Sequence, residues 1–426
     1  MGLPTVQPDP DAERAGQVVV AGAGFAGLTA AFRLRQRGLQ SVVLEARDRV
    51  GGRVRSVHLA NGAVAELGAE WIEEDDETLH GLARELGVDL AVAGIDYRRR
   101  TAMGPLAAGI EEQEEFLQSA AKARASLDGE AERGLSLGQF IETVPGTDRQ
   151  RATFRARLQG TFAQDLGRIA LRTAELKGTF GVHPATYFRT AEGNQAIAEA
   201  MAKRISDVRL GHVIEEVRPN REEVIVMGRS AHGPFRVMAA AAVLALPAPI
   251  TAALRFVPRL PPPLRTALAE LPMGVASKLA AATAGPPSPR ALQDMEIPFW
   301  CYAALGGDGL PREVITSFAG SPQAQQTLRT ALGDPEPWFA RVRAMNTDLI
   351  FVGEPLMGAW ADDPFSRGSY SAFDNPSADR EGLLAEPADR VIFAGEHTAG
   401  PWSGTMEGAV RSGERAARQV AERLAG

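Results

Sequence analysis

The chain has 426 residues, 45% of them hydrophobic, and carries 46 Lys and Arg against 53 Asp and Glu. This composition suits a globular protein of two or three packed units, and a formal charge of -7 without a basic block argues against a nucleic-acid partner. The one cysteine, Cys301, excludes an intrachain disulfide framework and a Cys-x-x-Cys metal site.

The cellular location is predicted from the same simple features. No stretch of about 18 apolar residues is present, so we expect no membrane span. The opening segment, residues 1–16, is polar and contains prolines, unlike a signal peptide, and we expect it to be flexible. Because the cysteine usage fits a reducing compartment, we predict a cytoplasmic protein.

Strand and helix patterns with glycine between them occur at both ends of the chain. Residues 17–21 (QVVVA) predict a strand, the pattern from Leu28 to Leu34 predicts a helix, and residues 41–44 predict a second, parallel strand. Other predicted elements are helices at 76–86 and 111–127, short strands across 208–247, a buried strand within 390–398 and a final helix at 406–424. We therefore predict one nucleotide-binding layer built from both termini, with the middle of the chain inserted.

The segment AGAGFAGL places Gly22, Gly24 and Gly27 directly after the first predicted strand. The first glycine permits a tight turn, the second lets a pyrophosphate approach the backbone, and the third lets helix and strand pack closely. Phosphate would lie at the start of the following helix, where free N–H groups and the dipole favour negative charge. Glu45, at the end of the second strand, is placed to bind both hydroxyls of an adenosine ribose. We favour a dinucleotide site over the alternative, a purely structural glycine turn.

Four segments resemble a known family. They are EARDRVGGRV at 45–54, ELGAEWI at 66–72, WADDPFSRGSYS at 360–371 and FAGEHTAGPWSGTMEGAVRSGERAA at 393–417. Their order and their spread over nearly the whole chain resemble the flavin-containing amine oxidases, which include monoamine, polyamine and L-amino acid oxidases. The resemblance implies that the dinucleotide is FAD rather than NAD.

The fold implied is α/β, with a discontinuous Rossmann-like FAD-binding domain, a mixed-sheet substrate domain and a helical insertion. We place the FAD-binding domain in residues 17–80, 204–275 and 385–426. The substrate-binding domain would take residues 81–203 and 276–384, with the helical insertion at about 95–200. We also consider a homodimer.

The resemblance assigns residues to the FAD site. Glu45 would hold the ribose and Val213 would meet the adenine, although Val213 alone reads as an ordinary strand residue. The residues expected at the phosphates and ribityl chain are Arg47, Gly51, Gly52 and Arg53, with a plain surface charge as the alternative for Arg53. Those expected along the flavin ring are Gly68, Ala69, Glu70 and Trp71, and those at its pyrimidine edge are Gly404, Thr405 and Met406. Further cofactor residues implied are Phe25, Ala26, Gly27, Ala46, Trp360, Gly395 and Glu396.

Lys278 is the predicted catalytic residue. In a strand it would share a face with Ala276 and Ala280, which is also the pattern of a plain exposed lysine. The resemblance implies that a lysine in this region reaches a water beside flavin N5. The expected reaction transfers a hydride from the carbon next to an amine nitrogen to N5, giving an imine, with reoxidation by O2 to H2O2. This chemistry needs an uncharged nitrogen and good alignment more than a protein base.

Two positions depart from the monoamine oxidase pattern. Ser369 stands before Tyr370 where those enzymes bond a cysteine to the flavin, so we expect noncovalent FAD. Thr405 stands where they have the second tyrosine of an aromatic cage, which leaves room for a bulkier substrate. The predicted pocket residues, each with core packing or another role as an alternative, are Tyr187, Phe299, Tyr370, Trp402 and Thr405.

An acidic run, residues 73–77, follows Trp71. It could attract a cationic amine, but we favour stabilisation of the dipole at the start of the helix near Asp76. The six histidines show no paired ligand spacing, so we expect no metal site.

We predict an FAD-dependent oxidase of a small-molecule amine that uses O2 as its acceptor. One alternative is a tailoring flavoenzyme that oxidises a C–N bond in a larger amide or complex amine, with or without a following cyclisation. Another is a non-catalytic FAD-fold binding module, against which Lys278 and the segment WSGTME argue.

Overall fold

The computed structural model describes residues 13–14, 16–93, 99–176, 178–181, 186–303, 305–306 and 310–425. Most of the segment expected to be flexible, residues 1–16, lies outside them. Within these ranges, no helix combines the length and the apolar character needed to cross a membrane.

A parallel five-stranded sheet joins the two ends of the chain. Its strands, in spatial order, are Val208–Arg209, Ser41–Leu44, Val18–Ala21, Ala241–Leu244 and Val391–Phe393. The three central strands are buried along their whole length, as parallel strands are when helices or sheets cover both faces. The predicted βαβ unit and the layer built from both termini are confirmed.

Alternating side chains of this sheet pack into two cores. Val18 and Val20 lie in one core together with the helices Phe25–Gln36, Glu77–Leu86, Gln195–Ala202 and Met406–Ala425. Val19 and Ala21 lie in the other, together with the helices Ala248–Ala253 and Pro262–Glu270. This separation follows from the two-residue period of a strand.

A second sheet covers the core that contains Val19. Its five strands are, in order, Glu13–Arg14, Gly233–Ala239, Val224–Ser230, Val213–Pro219 and Arg255–Phe256. The strands predicted across 208–247 therefore divide between two sheets.

A six-stranded sheet is built mainly from the middle of the chain. Its strands are, in order, Phe351–Ala359, Ala276–Thr283, Val314–Gly320, Phe299–Ala303, Arg290–Asp294 and Thr101–Met103. Ala276–Thr283 pairs with neighbours on both sides and is buried throughout, so Lys278 is not an exposed strand lysine. The helices Pro322–Thr327 and Glu336–Met345 contribute to the core on one face of this sheet.

A group of helices lies within the predicted helical insertion. Its members are Ile110–Ala125, Gly129–Gly134, Leu137–Thr143, Asp148–Phe162 and Leu171–Leu176. They share a core that includes Phe116, Phe140 and Phe154. Ser136 and Thr147 each start one helix, with a side-chain hydroxyl that accepts the N–H of the third helical residue.

The remaining elements are short. The small strands are Ser56–His58 with Val64–Glu66, and Ile72–Glu73, Tyr187–Thr190 and Leu90–Val92. The other short helices, mostly 3₁₀, are Leu166–Arg168, Thr330–Leu332, Asn375–Asp379, Glu381–Ala385, Glu396–Thr398 and Gly400–Trp402. The longer helices predicted at 76–86, 111–127 and 406–424 are found within two residues of their expected bounds.

Two helical glycines provide a matched test of this packing. A Cβ at Gly413 in the last helix would lie 2.4 Å from the carbonyl oxygen of Ala26, whereas a Cβ at Gly81 meets no described atom within 4 Å. We expect Gly413→Ala to lower the free energy of unfolding by about 1–3 kcal/mol, and Gly81→Ala to raise it by about 0.5–1 kcal/mol. Chemical denaturation of both variants measures this, and equal effects would contradict the packing of the last helix on the first.

Candidate active site

One large cavity lies where the strands of the parallel sheet end. Its volume is about 1060 Å³, and it runs from Gly22 to Lys278 on the six-stranded sheet. Gly22, Glu45, Ala245 and Gly395, each of which follows a strand of the parallel sheet, all line it. Ligands of open α/β sheets bind in this place, outside the carboxyl ends of the strands.

All the predicted site residues except Gly27 and Phe299 line this cavity. A Cβ at Gly27 would lie 1.9 Å from the carbonyl oxygen of Gly22, so this glycine serves helix packing and not cofactor contact. Phe299 points to the opposite face of its strand from Trp300 and packs against Trp338, with ring centroids 6.4 Å apart. Its assignment to the pocket is wrong because neighbouring strand residues face opposite ways.

Two glycine loops face each other at the Gly22 end of the cavity. The N–H of Gly51 donates to the carbonyl oxygen of Ala23 at 2.8 Å, which joins the loops. A Cβ at Gly24 would have the Cα of Gly52 as its nearest neighbour, at 3.9 Å. Gly51 and Gly52 have φ of +101° and +59°, which glycine adopts without strain. The two loops therefore form a backbone groove with no side chain between them.

The helix Phe25–Gln36 begins at this groove. Gly24 offers no side-chain cap, and no acidic residue stands in the first turn of the helix. The first N–H groups of the helix, which have no intrahelical acceptor, therefore suit a negatively charged group such as a pyrophosphate. The groove and the helix start together fit a dinucleotide.

Glu45 lies beside the groove and is 4% exposed. Its Oε2 accepts the N–H of Ala23 at 2.7 Å, and its Oε1 accepts the N–H of Arg47 at 2.9 Å. Both bonds fix the carboxylate at the end of the second strand. His212 and Val213 line the same part of the cavity, so the residues predicted for ribose and adenine lie together.

The arginines of the motif segments bind protein groups. Arg47 donates to Asp363 at 2.6 Å, and Arg53 donates to Glu396 at 2.8 Å, while both line the cavity. Arg49, which sequence reasoning missed, donates to the carbonyl oxygens of Val50, Gly52 and Val54. Burial lowers the pKa of Arg49 to about 10, and it holds the second glycine loop in shape.

Glu396 is a buried carboxylate between this loop and the last helix. It accepts hydrogen bonds from Arg53, from the Ser371 hydroxyl at 2.6 Å and from the N–H of Gly404 at 2.6 Å. Burial alone would raise its pKa, but Arg53, His397 and these hydrogen bonds lower the pKa to about 2. Burial lowers the pKa of the neighbouring His397 to about 4.

The last helix starts at the cavity with Thr405 as its cap. The Thr405 hydroxyl accepts the N–H of Gly408 at 2.9 Å and donates to the carbonyl oxygen of Trp402. Thr405 therefore has a structural use at the position where the resemblance would place a cage tyrosine. The first N–H groups of this helix lie at the cavity wall formed by Gly404 and Met406.

The acidic run at 73–77 lines the rim of the cavity, but it does not cap the following helix. Instead Glu407, from the last helix, accepts the N–H groups of Thr78 at 3.1 Å and Leu79 at 2.7 Å. The Asp76 side chain accepts the N–H of Glu73, and burial raises the pKa of Asp76 to about 7. Glu77 lies in the first turn of this helix, so the predicted stabilisation of the helix dipole by the run stays a prediction, while the hydrogen bonds to the first N–H groups come from Glu407.

Lys278 lies at the other end of the cavity within a buried charge cluster. Its Nζ donates to Glu70 Oε2 at 2.7 Å, and Arg189 Nη1 donates to Glu70 Oε1 at 2.8 Å. The Tyr302 hydroxyl also donates to Glu70 Oε2. The Glu70 side chain is therefore committed to the protein, while its backbone segment passes along the cavity.

Aromatic side chains surround the space beside this cluster. The Trp71 ring lies 5.6 Å from Tyr187, measured between ring centroids, and Trp300 and Phe318 also line the cavity. The Tyr370 hydroxyl donates to the carbonyl oxygen of Thr161 at 2.7 Å. Trp360 donates its indole N–H to the carbonyl oxygen of Leu67, and the partly exposed Trp402 stacks with Arg411.

Several residues of the site were missed by sequence reasoning. Arg49 and Glu407 fall inside the motif segments, so their position alone could have suggested a role. Arg189 and Tyr302 belong to no motif, so their contacts with Glu70, across 119 and 232 residues of chain, were not predicted. In the part of the chain that the structure describes, no three His, Cys, Asp or Glu side chains group as metal ligands do.

The glycine groove, the helix start and the ribose-side carboxylate define a dinucleotide-binding protein. The profile of the family described as flavin-containing amine oxidoreductase matches residues 25–421, so this chain belongs to that family. It is therefore an FAD-dependent enzyme that oxidises amines, and Ser369 at the position of the flavin-bonded cysteine agrees with noncovalent FAD.

Curated relatives agree with this membership. A Mycobacterium tuberculosis protein named as a flavin-containing monoamine oxidase is 27% identical over 96% of this chain and 97% of its own. Polyamine oxidase 3 of Oryza sativa is 26% identical over 95% of this chain and 89% of its own. Amine oxidase B of Homo sapiens is 25% identical over 95% of this chain and 85% of its own.

Solved structures show the same fold. Putrescine oxidase bound to putrescine has a TM-score of 0.81 at 21% identity, covering 96% of this chain and 99% of the other. Cyclohexylamine oxidase from Brevibacterium oxydans has a TM-score of 0.82 at 20% identity, covering 97% and 100%.

Gly24 and Gly27 form a matched pair for testing the groove. The Cβ of Gly24→Ala fits without a clash but projects into the groove, where the pyrophosphate would lie. We therefore expect this variant to fold but to lose most of its FAD. Gly27→Ala clashes with Gly22 and should lower both the melting temperature and the FAD content. Protein-to-flavin absorbance ratios and thermal unfolding separate the two effects. A full FAD content in Gly24→Ala would show that the cofactor does not approach this backbone.

His397 makes the stability of the fold sensitive to acid. Its folded pKa of about 4 lies below the ordinary 6.5, so the unfolded state gains the proton first and stability falls as pH drops from about 6.5 to 4. Asp76 and Glu66, with folded pKa values of about 7, act in the opposite direction. We expect the wild type to lose up to about 1.4 kcal/mol per pH unit relative to His397→Gln across this window. Urea unfolding at several pH values measures the difference, and parallel curves would contradict it.

Proposed function

We propose that this protein is an amine oxidase that uses O2 as its electron acceptor and that Lys278 is its catalytic residue. The observation that carries the proposal is the single cavity that links the FAD-type groove to a buried lysine walled by aromatic side chains. Bound FAD supplies the two-electron acceptor for the C–H bond next to the nitrogen and returns these electrons to O2, giving an imine and H2O2.

The protein residues bind and orient the substrate. Tyr187, Trp300 and Phe318 offer flat apolar surfaces that exclude water from the reacting carbon. Tyr370, fixed by its hydrogen bond to Thr161, adds a wall near Ser369. Such positioning is a large part of what an enzyme can contribute when the cofactor performs the difficult step.

The acidic rim at 73–77 favours cationic substrates. Diffusing amines are mostly protonated at neutral pH, and a carboxylate-lined entrance raises their local concentration. The rim therefore supports amines as the substrate class.

A second candidate is the oxidation of a C–N bond in a larger amide or complex amine. Thr405 supports it, since this helix cap is much smaller than the cage tyrosine expected there and leaves the cavity open on that side. Rapid oxidation of simple amines by the purified protein would argue against this candidate.

The test uses the purified protein and a substrate panel. We expect a yellow protein that releases free FAD on denaturation, whose flavin absorbance bleaches without O2 in the presence of an amine, and which forms H2O2 in air. The panel contains alkyl, aryl-alkyl and diamines, amino acids and amides. Colourless protein that FAD cannot reconstitute would overturn the proposal.

Substitution of Lys278 tests its catalytic assignment. We expect Lys278→Met to keep FAD but to slow flavin reduction or reoxidation about 10²-fold, because a fixed charge aimed at the reacting centre is lost. Lys203→Met is the matched control, since Lys203 is exposed at the end of the helix Gln195–Ala202 and should leave both rates unchanged. Stopped-flow absorbance measures each half-reaction, and equal rates in the two variants would remove the assignment.

A further inference from the structure

Lysine is rare in this chain and is found once in the described lining of the active-site cavity. The sequence contains four lysines, Lys122, Lys177, Lys203 and Lys278, among 46 basic residues. Lys278 is the one that lines the cavity, and it is 4% exposed. A buried ammonium is costly unless a partner compensates its charge, so the partner of Lys278 decides what this lysine can do.

Glu70 is that partner. Its carboxylate is completely buried, and its Oε2 accepts Lys278 Nζ at 2.7 Å. Burial alone would raise the pKa of Glu70, but Lys278, Arg189 and the hydrogen bond from Tyr302 lower it below its ordinary value. Glu70 is therefore a carboxylate whose Oε1 accepts a hydrogen bond from Arg189 and whose Oε2 accepts hydrogen bonds from Lys278 and Tyr302.

The charged and titratable groups around Lys278 come from three segments. Glu70 and Glu66 belong to the segment that crosses the cavity, Arg189 to the strand Tyr187–Thr190, and Tyr302 to the strand Phe299–Ala303. Burial and the nearby Glu70 raise the pKa of Glu66 to about 7. Burial and Glu70 also raise the pKa of Tyr302 well above its ordinary value, so Tyr302 is a neutral donor.

We propose that Glu70 is a positioning residue that holds the Lys278 Nζ at the cavity wall in an ion pair, so that Lys278 does not serve as the base in amine oxidation. The geometry supports this because one carboxylate oxygen holds the Nζ while Arg189 and Tyr302 hold the carboxylate. This inference assumes the proposed function, in which Lys278 is the catalytic residue.

A fixed cation has a different use from a base. Lys278 would supply positive charge and N–H donors to the reacting region, and the proton of the substrate ammonium would have to leave to solvent before oxidation. Replacement of Glu70 by a neutral residue would remove the carboxylate that both Lys278 and Arg189 contact, and Glu66 would be the remaining nearby acid. Lys278 would then hold its proton less tightly than in the wild type.

The small number of lysines allows a direct measurement on the holoenzyme. Protein labelled with ¹³C at lysine Cε gives few signals, and the Lys278→Met variant assigns the one from Lys278. We expect the Lys278 resonance to leave its ammonium position at a lower pH in Glu70→Gln than in the wild type, because the carboxylate that contacts Nζ is gone.

Two variants serve as controls for this measurement. Tyr302→Phe removes one hydrogen bond from Glu70 but keeps the carboxylate charge, so its Lys278 resonance should follow the wild type. Glu70→Asp keeps the charge on a shorter side chain, and we expect a smaller movement in the same direction as in Glu70→Gln. It also keeps the inference testable if Glu70→Gln fails to fold.

The pH profile of anaerobic flavin reduction gives a second readout. In Glu70→Gln the pH profile of the reduction rate should show an additional ionisation, that of Lys278. This ionisation should be absent from the double variant Glu70→Gln with Lys278→Met. A merely structural role of Glu70 would lower the rate at all pH values alike. A Lys278 resonance that behaves identically in the wild type, Glu70→Gln and Glu70→Asp would overturn the inference, whereas protein without amine oxidation would overturn only the proposed function.

Discussion

Close approach of two backbone loops, at Gly24 on one side and Gly51 and Gly52 on the other, is the constraint on which the active site depends. A pyrophosphate can reach the start of the first helix only if no side chain stands in the groove between these loops. The first strand, the first helix and the segment after Glu45 must therefore keep a fixed spacing. Arg49 maintains it by binding three carbonyl oxygens of the second loop, and Glu45 maintains it by accepting the N–H of Ala23.

The two ends of the cavity hold charge by different means. At the groove, the helix start and backbone N–H groups provide a diffuse positive potential, while Glu45 and Arg49 hold the two loops in place. At the end of the cavity that contains Lys278, full charges from Lys278, Arg189 and Glu70 meet in a space that water hardly reaches. Buried ion pairs contribute little to stability on average, so such a cluster is better explained by what it does to the lysine than by what it adds to the fold.

Sequence patterns predicted the features that depend on residues close together in the sequence. The βαβ unit, the glycine turn, Glu45 and the last helix all follow from short segments whose periodicity or spacing has a direct physical meaning. The partners of Glu70 could not be found in this way, because Lys278 lies 208 residues from Glu70 and the contact depends on how two sheets meet. Phe299 was misassigned because an aromatic-rich strand has two faces, and its sequence does not show which face meets the cavity. The contact of Glu407 with the helix beside the acidic run could not be predicted for a related reason, since Glu407 comes from the opposite end of the chain.

The contact between Glu407 and the helix Glu77–Leu86 has a consequence for the order of folding. A ribosome releases the groove-forming residues long before the helix Met406–Ala425, yet that helix packs on the helix Phe25–Gln36 and Glu407 in it caps the helix Glu77–Leu86. The amino-terminal segment can therefore not reach its final structure before the helix Met406–Ala425 has emerged, however early its strands do. Cofactor uptake should wait for that helix, and protein cut short before Glu407 should lack a closed site for FAD.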